Sequence, residues 1–199
     1  MSMIPEKPPF KLLDILYKKE FILFVVLVSI LIMNSNISPY FLDLYNLIDS
    51  TFLFSEKAII ALTMTFVIIA RQIDLSVASI IAVSSCVLGY TTSLGYDTWL
   101  VISLTLLSGA ICGAFNGAII TKFAIPSIIV TIGTMSLFRG LAYSFLEDSY
   151  YNKFPKLVSN LGGGYLFGYI PYAFLTFIIL AFIFAFILHK TSVGKKIYS

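Results

Sequence analysis

The stretch Ala70-Arg71-Gln72-Ile73-Asp74-Leu75-Ser76-Val77 drops two opposite formal charges into an otherwise uncharged run from Ala58 to Tyr90. As one helix that run would be ~50 Å long at 1.5 Å per residue, against a bilayer core of ~30 Å. Two full spans would need about 40 residues, which the run does not have. Its length predicts two short helices, Ala58 to Ala70 and Leu75 to Tyr90, meeting at the charged break. Short, interrupted apolar segments point to a transport pathway, because a broken helix leaves polar backbone that must face a cavity or other protein.

The same residues also fit a plain turn. Asp74 is a good N-cap for a helix starting at Leu75, its carboxylate accepting from the amide of Ser76 or Val77. Arg71 sits where a cation complements the carbonyl end of the preceding helix. Ionisable groups inside membrane segments are functional by default, so the capping and lining readings stand side by side.

Composition sets the class. The chain is 59% hydrophobic and 12% charged, about half the charge fraction of soluble domains. A net charge of +3 gives no footprint for nucleic acid; the apolar composition implies a lipid bilayer as partner. Cys86 and Cys112 both fall inside expected spans, so buried thiols are expected rather than a disulfide.

In chain order, residues 1–20 read as a basic tail, 21–189 as a transmembrane domain and 190–199 as a second basic tail. A retained first helix runs from Phe21 to Met33, extendable to Ile37. Residues 38–57, with Asp43, Asp49 and Glu56, read as a polar-aromatic loop. After the two short helices come a loop at Thr91 to Thr98 and a long helix from Trp99 to Thr121. Pro126 opens a fifth helix to Phe145, in the first turn, where its missing amide does no harm. A loop from Leu146 to Tyr169 precedes a sixth helix, Pro171 to Leu188. The expected fold is an all-α polytopic bundle of about six transmembrane helices.

Charge asymmetry selects the orientation. With six spans and a cytoplasmic amino terminus, nine cations lie inside: Lys7, Lys11, Lys18, Lys19, Arg71, Lys122, Lys190, Lys195 and Lys196. Three lie outside, Lys57, Lys153 and Lys156. Reading 58–90 as one span gives six against five, so the positive-inside rule favours six spans with both termini cytoplasmic.

Small residues mark expected contacts. Gly109, Gly113 and Gly117, with Asn116 beside them, recur along one face of the fourth helix, which lets a neighbouring backbone approach. Ala78, Ala82, Ser85 and Gly89 form a stripe on the third helix, and Gly133, Ser136, Gly140 and Ser144 one on the fifth. A lining role would enlist Arg71, Asp74 and Ser76 of the break with Thr131, Thr134 and Arg139 of the fifth helix. The hydroxyls also have a bland use, bonding carbonyls of their own helix. Arg139 needs a partner or a water-filled space; Glu147 and Asp148 are its nearest carboxylates in sequence. No catalytic constellation, metal-ligand spacing or phosphate-binding loop is present, and His189 reads as a complement to the last helix's dipole.

Several segments together resemble one family. Ile73-Asp74-Leu75-Ser76-Val77, the run Gly109 to Lys122, the run Pro126 to Gly140 and the tail His189 to Tyr198 resemble the permease subunits of ribose/rhamnose-type sugar ATP-binding-cassette importers. The likeness covers roughly residues 40 to 199. Ala70-Arg71-Gln72 stands where the family usually has glycines, a lead-in that resembles the rhamnose-type branch. The resemblance implies a non-enzymatic permease subunit in a bacterial inner membrane, importing a simple sugar. Its implied partners are a periplasmic sugar-binding protein, an ATPase subunit that binds the ATP, and a second permease subunit. Similar permeases continue through a coupling loop into a second set of helices, so the chain is expected to be an amino-terminal half. Its tail, Lys190 to Ser199, is expected to anchor at lipid rather than form a docking helix. The rival reading is a non-transporting remnant or membrane assembly subunit of a split permease.

The topology is directly testable. Cysteines introduced at Ser93 and Ser159 react with an impermeant thiol reagent in intact cells with a permeable outer membrane, and one at Ser192 does not. Labelling at Ser192 with protection at Ser159 reverses the orientation.

Overall fold

A computed structural model describes residues 19–146 and 150–198. The basic tail up to Lys18 and the carboxylates Glu147 and Asp148, named above for Arg139, lie outside the described residues. The chain divides into two compact units, one ending at Ser50 and the other Thr51–Ser199. The first holds α1 (Lys19–Ile37) and the opening turns of α2. Asn34, Ser35 and Asn36 stay helical by folding their side chains onto the carbonyls of Ile30, Leu31 and Ile32, each at 2.8 Å.

The helix α2 (Leu44–Ile69) is the first departure from expectation. Most of the stretch read as a loop is helical, so the segment before the break is a 26-residue helix rather than a short one. Asp43 starts it, accepting from the amide of Tyr45 at 3.1 Å and giving its carbonyl to Leu47. A carboxylate two residues ahead of a free amide is a strong helix start. It outweighs Asp49, Glu56 and Lys57, whose charges had suggested a loop.

The second unit is built on α3 (Val77–Ser93), α4 (Thr98–Phe123) and α5 (Ser127–Leu146). Asp97 caps α4, accepting from Trp99 at 2.9 Å. Pro126 sits one residue outside α5 rather than in its first turn; its carbonyl accepts from Ile129 and Val130. Its missing amide is still harmless, because a cap residue donates nothing to the ladder.

Side-chain contacts fix the helix directions. Ser76 meets Asn116, whereas Ser84, two turns on, meets Ser108; α4 therefore runs antiparallel to α3. Ile73 meets Ser127, Cys86 meets Ala142, and the Tyr90 and Phe145 rings pair edge to face at 5.8 Å. Contacts that climb both helices together make α3 and α5 parallel. Val101, Cys112, Val130, Phe138 and Ala142 form the apolar core.

Beyond α5 come α6 (Lys156–Gly163), a two-strand hairpin and α7 (Tyr172–Lys190). Strands β1 (Tyr165–Leu166) and β2 (Ile170–Pro171) pair antiparallel, joined by a turn with Phe167 and Gly168 both at positive φ. Phe184 of α7 packs on Phe66 of α2, ring centroids 4.9 Å apart. Within the tail a short helix forms, α8 (Ser192–Tyr198). Gly194 makes this possible, since a Cβ there would run into the carbonyl oxygens of Leu188 and Ile187. The Thr191 hydroxyl accepts from the Gly194 amide at 3.3 Å, supplying a side-chain partner at the start of α8.

Among the described residues five helices are long and apolar enough to cross a membrane, and α3, at 17 residues, is a shorter apolar one. The expected all-α bundle stands, with only the small hairpin added.

Of the glycine ladder, Gly109 alone is closely met. A Cβ there would lie 3.2 Å from Ser84 Oγ, while nothing lies within 4 Å of one at Gly113 or Gly117. Gly109→Leu should therefore destabilise the chain by about 1–3 kcal/mol through overpacking. Gly113→Leu should leave its thermal unfolding in detergent unchanged, so that any defect appears only in assembly. Equal destabilisation by both contradicts this packing.

Candidate functional site

The break between α2 and α3 is a helix terminus whose polar groups are tied to neighbouring helices. Helix α2 ends with Gln72 N–H donating to Val67 at 3.0 Å and Arg71 N–H to Ile68 at 2.9 Å. This double closure is a Schellman ending, with Arg71 in the left-handed position at φ 55°. Glycine is favoured there because a side chain in that conformation costs roughly 1–2 kcal/mol. The helix ending uses the Arg71 backbone, and its side chain is exposed.

From Gln72 to Ser76 the chain is non-helical. Its polar groups are taken by α5: Ser127 Oγ accepts from Ile73 N–H at 3.1 Å, and Thr131 Oγ1 donates to the Ile73 carbonyl at 3.3 Å. Asp74 turns the chain into α3. One carboxylate oxygen accepts from the Ser76 amide at 2.8 Å and from the Ser76 hydroxyl at 2.6 Å. The capping reading is thus modified: α3 begins at Val77, Ser76 holds the cap position, and Asp74 acts on Ser76 from two residues upstream.

Asn116 completes these ties from α4. Its amide nitrogen donates to Ser76 Oγ at 2.8 Å. Because the Ser76 hydrogen is already given to an acceptor-only carboxylate, Asn116 must present its NH2. That leaves its own oxygen buried without a hydrogen-bond partner among the described residues, together with the hydroxyl of Ser79. Ser76 is 0%, Thr131 1% and Asn116 4% exposed, so the relay runs inside the bundle.

The structure brings together Asp74, Ser76, Thr131 and Asn116 of the residues singled out in the sequence. Thr134 is buried beside them, its hydroxyl on the Thr131 carbonyl at 3.5 Å. Arg139 stands apart, exposed on α5 and lining a cavity with Cys86 and Tyr143. Gly113 and Gly117 face open space. Ser79 was missed as a site residue, and Ser127, which shares a face of α5 with Thr131 and Thr134 in the sequence, was not counted among the lining residues. Ser127 directly follows the helix-opening Pro126, where a hydroxyl has reach to a neighbouring chain; that position was the available signal.

If the relay is a unit, Ser76→Ala and Asn116→Ala are non-additive. Each single change lowers stability by about 1–3 kcal/mol through an orphaned buried group, and the double variant loses less than the sum. Thermal unfolding of the four proteins in detergent measures this, and strict additivity removes the relay.

Comparison with known proteins now adds identity. The family described as the branched-chain amino acid transport system / permease component matches residues 46–199. The chain is 31% identical over 186 residues to the ribose import permease protein RbsC of Haemophilus influenzae, covering 92% of this chain and 56% of that protein. It is 33% identical over 141 residues to the autoinducer 2 import system permease protein LsrC of Escherichia coli O9:H4, covering 71% and 41%. To the autoinducer 2 import system permease protein LsrD of Klebsiella pneumoniae it is 32% identical over 193 residues, covering 90% and 55%. It spans about half the length of these curated relatives. No solved structure matches it. With its five membrane-length apolar helices and a match over most of its residues, the chain is a multi-pass membrane protein belonging to the branched-chain amino acid transport system permease-component family.

Proposed function

We propose that this chain forms part of the permease of an ATP-binding-cassette importer for a simple sugar. Substrate reaches it from a periplasmic binding protein, and ATP is hydrolysed by a partner subunit. It sits in a bacterial inner membrane with both ends cytoplasmic and works beside a second permease subunit. The observation that carries this reading is the broken segment itself. Non-helical backbone at membrane depth is tolerated where protein or a cavity satisfies it, and here Ser127 and Thr131 are spent on that task. The import functions named for the ribose and autoinducer 2 relatives agree with it.

In this reading Asp74, Ser76, Asn116, Thr131 and Thr134 set the shape of the pathway, and Arg71 and Arg139 supply its exposed cations. A rival role, as an assembly subunit without a pathway, draws on one finding: nothing among the described residues lies within 4 Å of a Cβ at Gly113 or Gly117, leaving a face of α4 open to another subunit.

Reconstitution separates the two. Vesicles holding the permease that contains this chain, with its ATPase and binding protein, accumulate labelled ribose only with ATP. Asn116→Leu lowers uptake at least about tenfold while the subunits still copurify, as expected where a polar contact holds a two-state element. Full uptake in that variant, with assembly lost on Gly113→Leu, favours the assembly role. No ATP-dependent uptake overturns the import reading.

A further inference from the structure

Two side chains of opposite charge stand inside membrane-length helices without meeting each other: Glu56 on α2 and Arg139 on α5. Both are exposed, and neither has a hydrogen-bond or ion-pair partner among the described residues. Their depths are comparable because both helices are anchored at the break. Gln72 closes the end of α2 on Val67, and Ile73 bonds Ser127 at the start of α5. Phe52, towards the far end of α2, stacks on Tyr165 of the hairpin, centroids 6.4 Å apart. The hairpin follows α6, whose Val158 and Leu161 share a cavity with Leu88 near the far end of α3. Helices α2 and α5 thus rise from the break to the same side. At 1.5 Å per residue, Glu56 lies ~20 Å along α2 from Ile69, and Arg139 ~18 Å along α5 from Ser127. A typical tilt of ~20° alters such heights by only about 1 Å. Both charges therefore fall at one level, in the half of a ~30 Å apolar core remote from the break.

An ionised group inside the apolar core needs a partner. A long arginine side chain can reach the headgroups, but a glutamate is short, and anionic lipid repels it. Lys57 is next in sequence, and successive residues on a helix do not face each other. Of the other described cations, only Arg139 lies inside a membrane-length helix away from its end turns. A second copy of the chain can bring the two charges together. A two-fold axis along the membrane normal leaves depth unchanged, so two different residues pair across it only at equal depth, and they then pair twice. Glu56 and Arg139 meet that condition, and their signs are complementary. The surface of α5 beside Arg139 is also open. Ser136 is exposed, and nothing described lies within 4 Å of a Cβ at Gly133 or Gly140, so another helix can approach closely. We propose that this chain pairs with a second copy of itself, Glu56 of each meeting Arg139 of the other. The proposal rests on the reading that the chain works beside a second permease subunit, and it specifies that subunit and the contact. Arg139 stays at the wall of the pathway with its charge balanced.

Charge exchange between copies tests the pairing. The permease containing this chain is made in two tagged forms, and copurification of one tag with the other is measured in mild detergent. Glu56→Arg meets only like charge in a pair with itself, and so does Arg139→Glu. Each therefore self-associates at least about tenfold less than the wild type. Co-expressed, the two variants regain opposite charges at both contacts and copurify as the wild type does. A variant that merely misfolds gains nothing from a partner that is also defective. A second readout uses Glu56→Cys on one copy and Arg139→Cys on another, both lacking Cys86 and Cys112. A short bifunctional thiol reagent joins them, since paired long side chains hold their Cα atoms too far apart for a disulfide. Lys57→Cys in place of Glu56→Cys is joined far less. The pairing falls if the two charge variants fail to restore each other, or if only Glu147→Arg in the same chain restores Arg139→Glu. Should the charge variants not accumulate, absence of the cross-link between copies overturns it. Ribose uptake by the wild-type permease, measured in vesicles with its ATPase and binding protein, keeps the two readings apart. Uptake without restoration discards the pairing alone; restoration without uptake leaves the pair and discards the import reading.

Discussion

A peptide group in apolar surroundings must find a partner, and the arrangement of this protein follows from how one peptide does so. Each unsatisfied backbone group away from water costs several kcal/mol, so a chain that leaves helical form between Gln72 and Ser76 must be served by its neighbours. Ile73 is served on both sides by α5, through Ser127 and Thr131. Those two residues lie one helical turn apart, so the bonds set the position of α5 along its axis as well as its proximity. Asn116 then fixes α4 against the same point. Three helices are registered by a few polar contacts, with little help from hydrophobic burial. That suits a setting where apolar side chains gain nothing by leaving lipid.

The division between what the sequence disclosed and what it concealed follows the range of each interaction. The charged break, Asp74 acting on Ser76, and the helices α4, α5 and α7 to within a few residues were legible, because caps, prolines and apolar runs act over a few positions. The partners of Ile73 were not: Ser127 and Thr131 stand 54 and 58 residues away, and no local pattern says which hydroxyl crosses to another segment. The extension of α2 back to Leu44 was hidden by acidic residues that hydropathy counts against a span, although Asp43 marked its start. The tail helix depends on the fit of Gly194 against α7, a tertiary contact with no composition of its own.

Small residues show why spacing alone is a weak guide to contact. Gly109, Gly113 and Gly117 share a face and an interval, yet Ser84 approaches only the first. Even α5, the most enclosed of the membrane-length helices, buries just 28% of its apolar window, and α7 buries 6%. Most of each helix surface is therefore available to lipid or to other protein. The glycines that meet nothing are the places where a backbone from another chain would approach with the least steric resistance.

The parallel course of α3 and α5 has an electrostatic consequence. Both helices begin at the break, at Val77 and at Ser127, so their amino-terminal partial charges, about half a positive charge each, fall on the same end of the bundle and add. Antiparallel neighbours would have cancelled. Asp74 bonds Ser76 at the start of α3 and follows Ile73, whose amide bonds Ser127 at the start of α5. Its carboxylate is thus the counter-charge of a pair of helices. An asparagine in its place would keep an oxygen for both Ser76 donors, yet it would leave a local excess of nearly one positive charge where the polypeptide breaks.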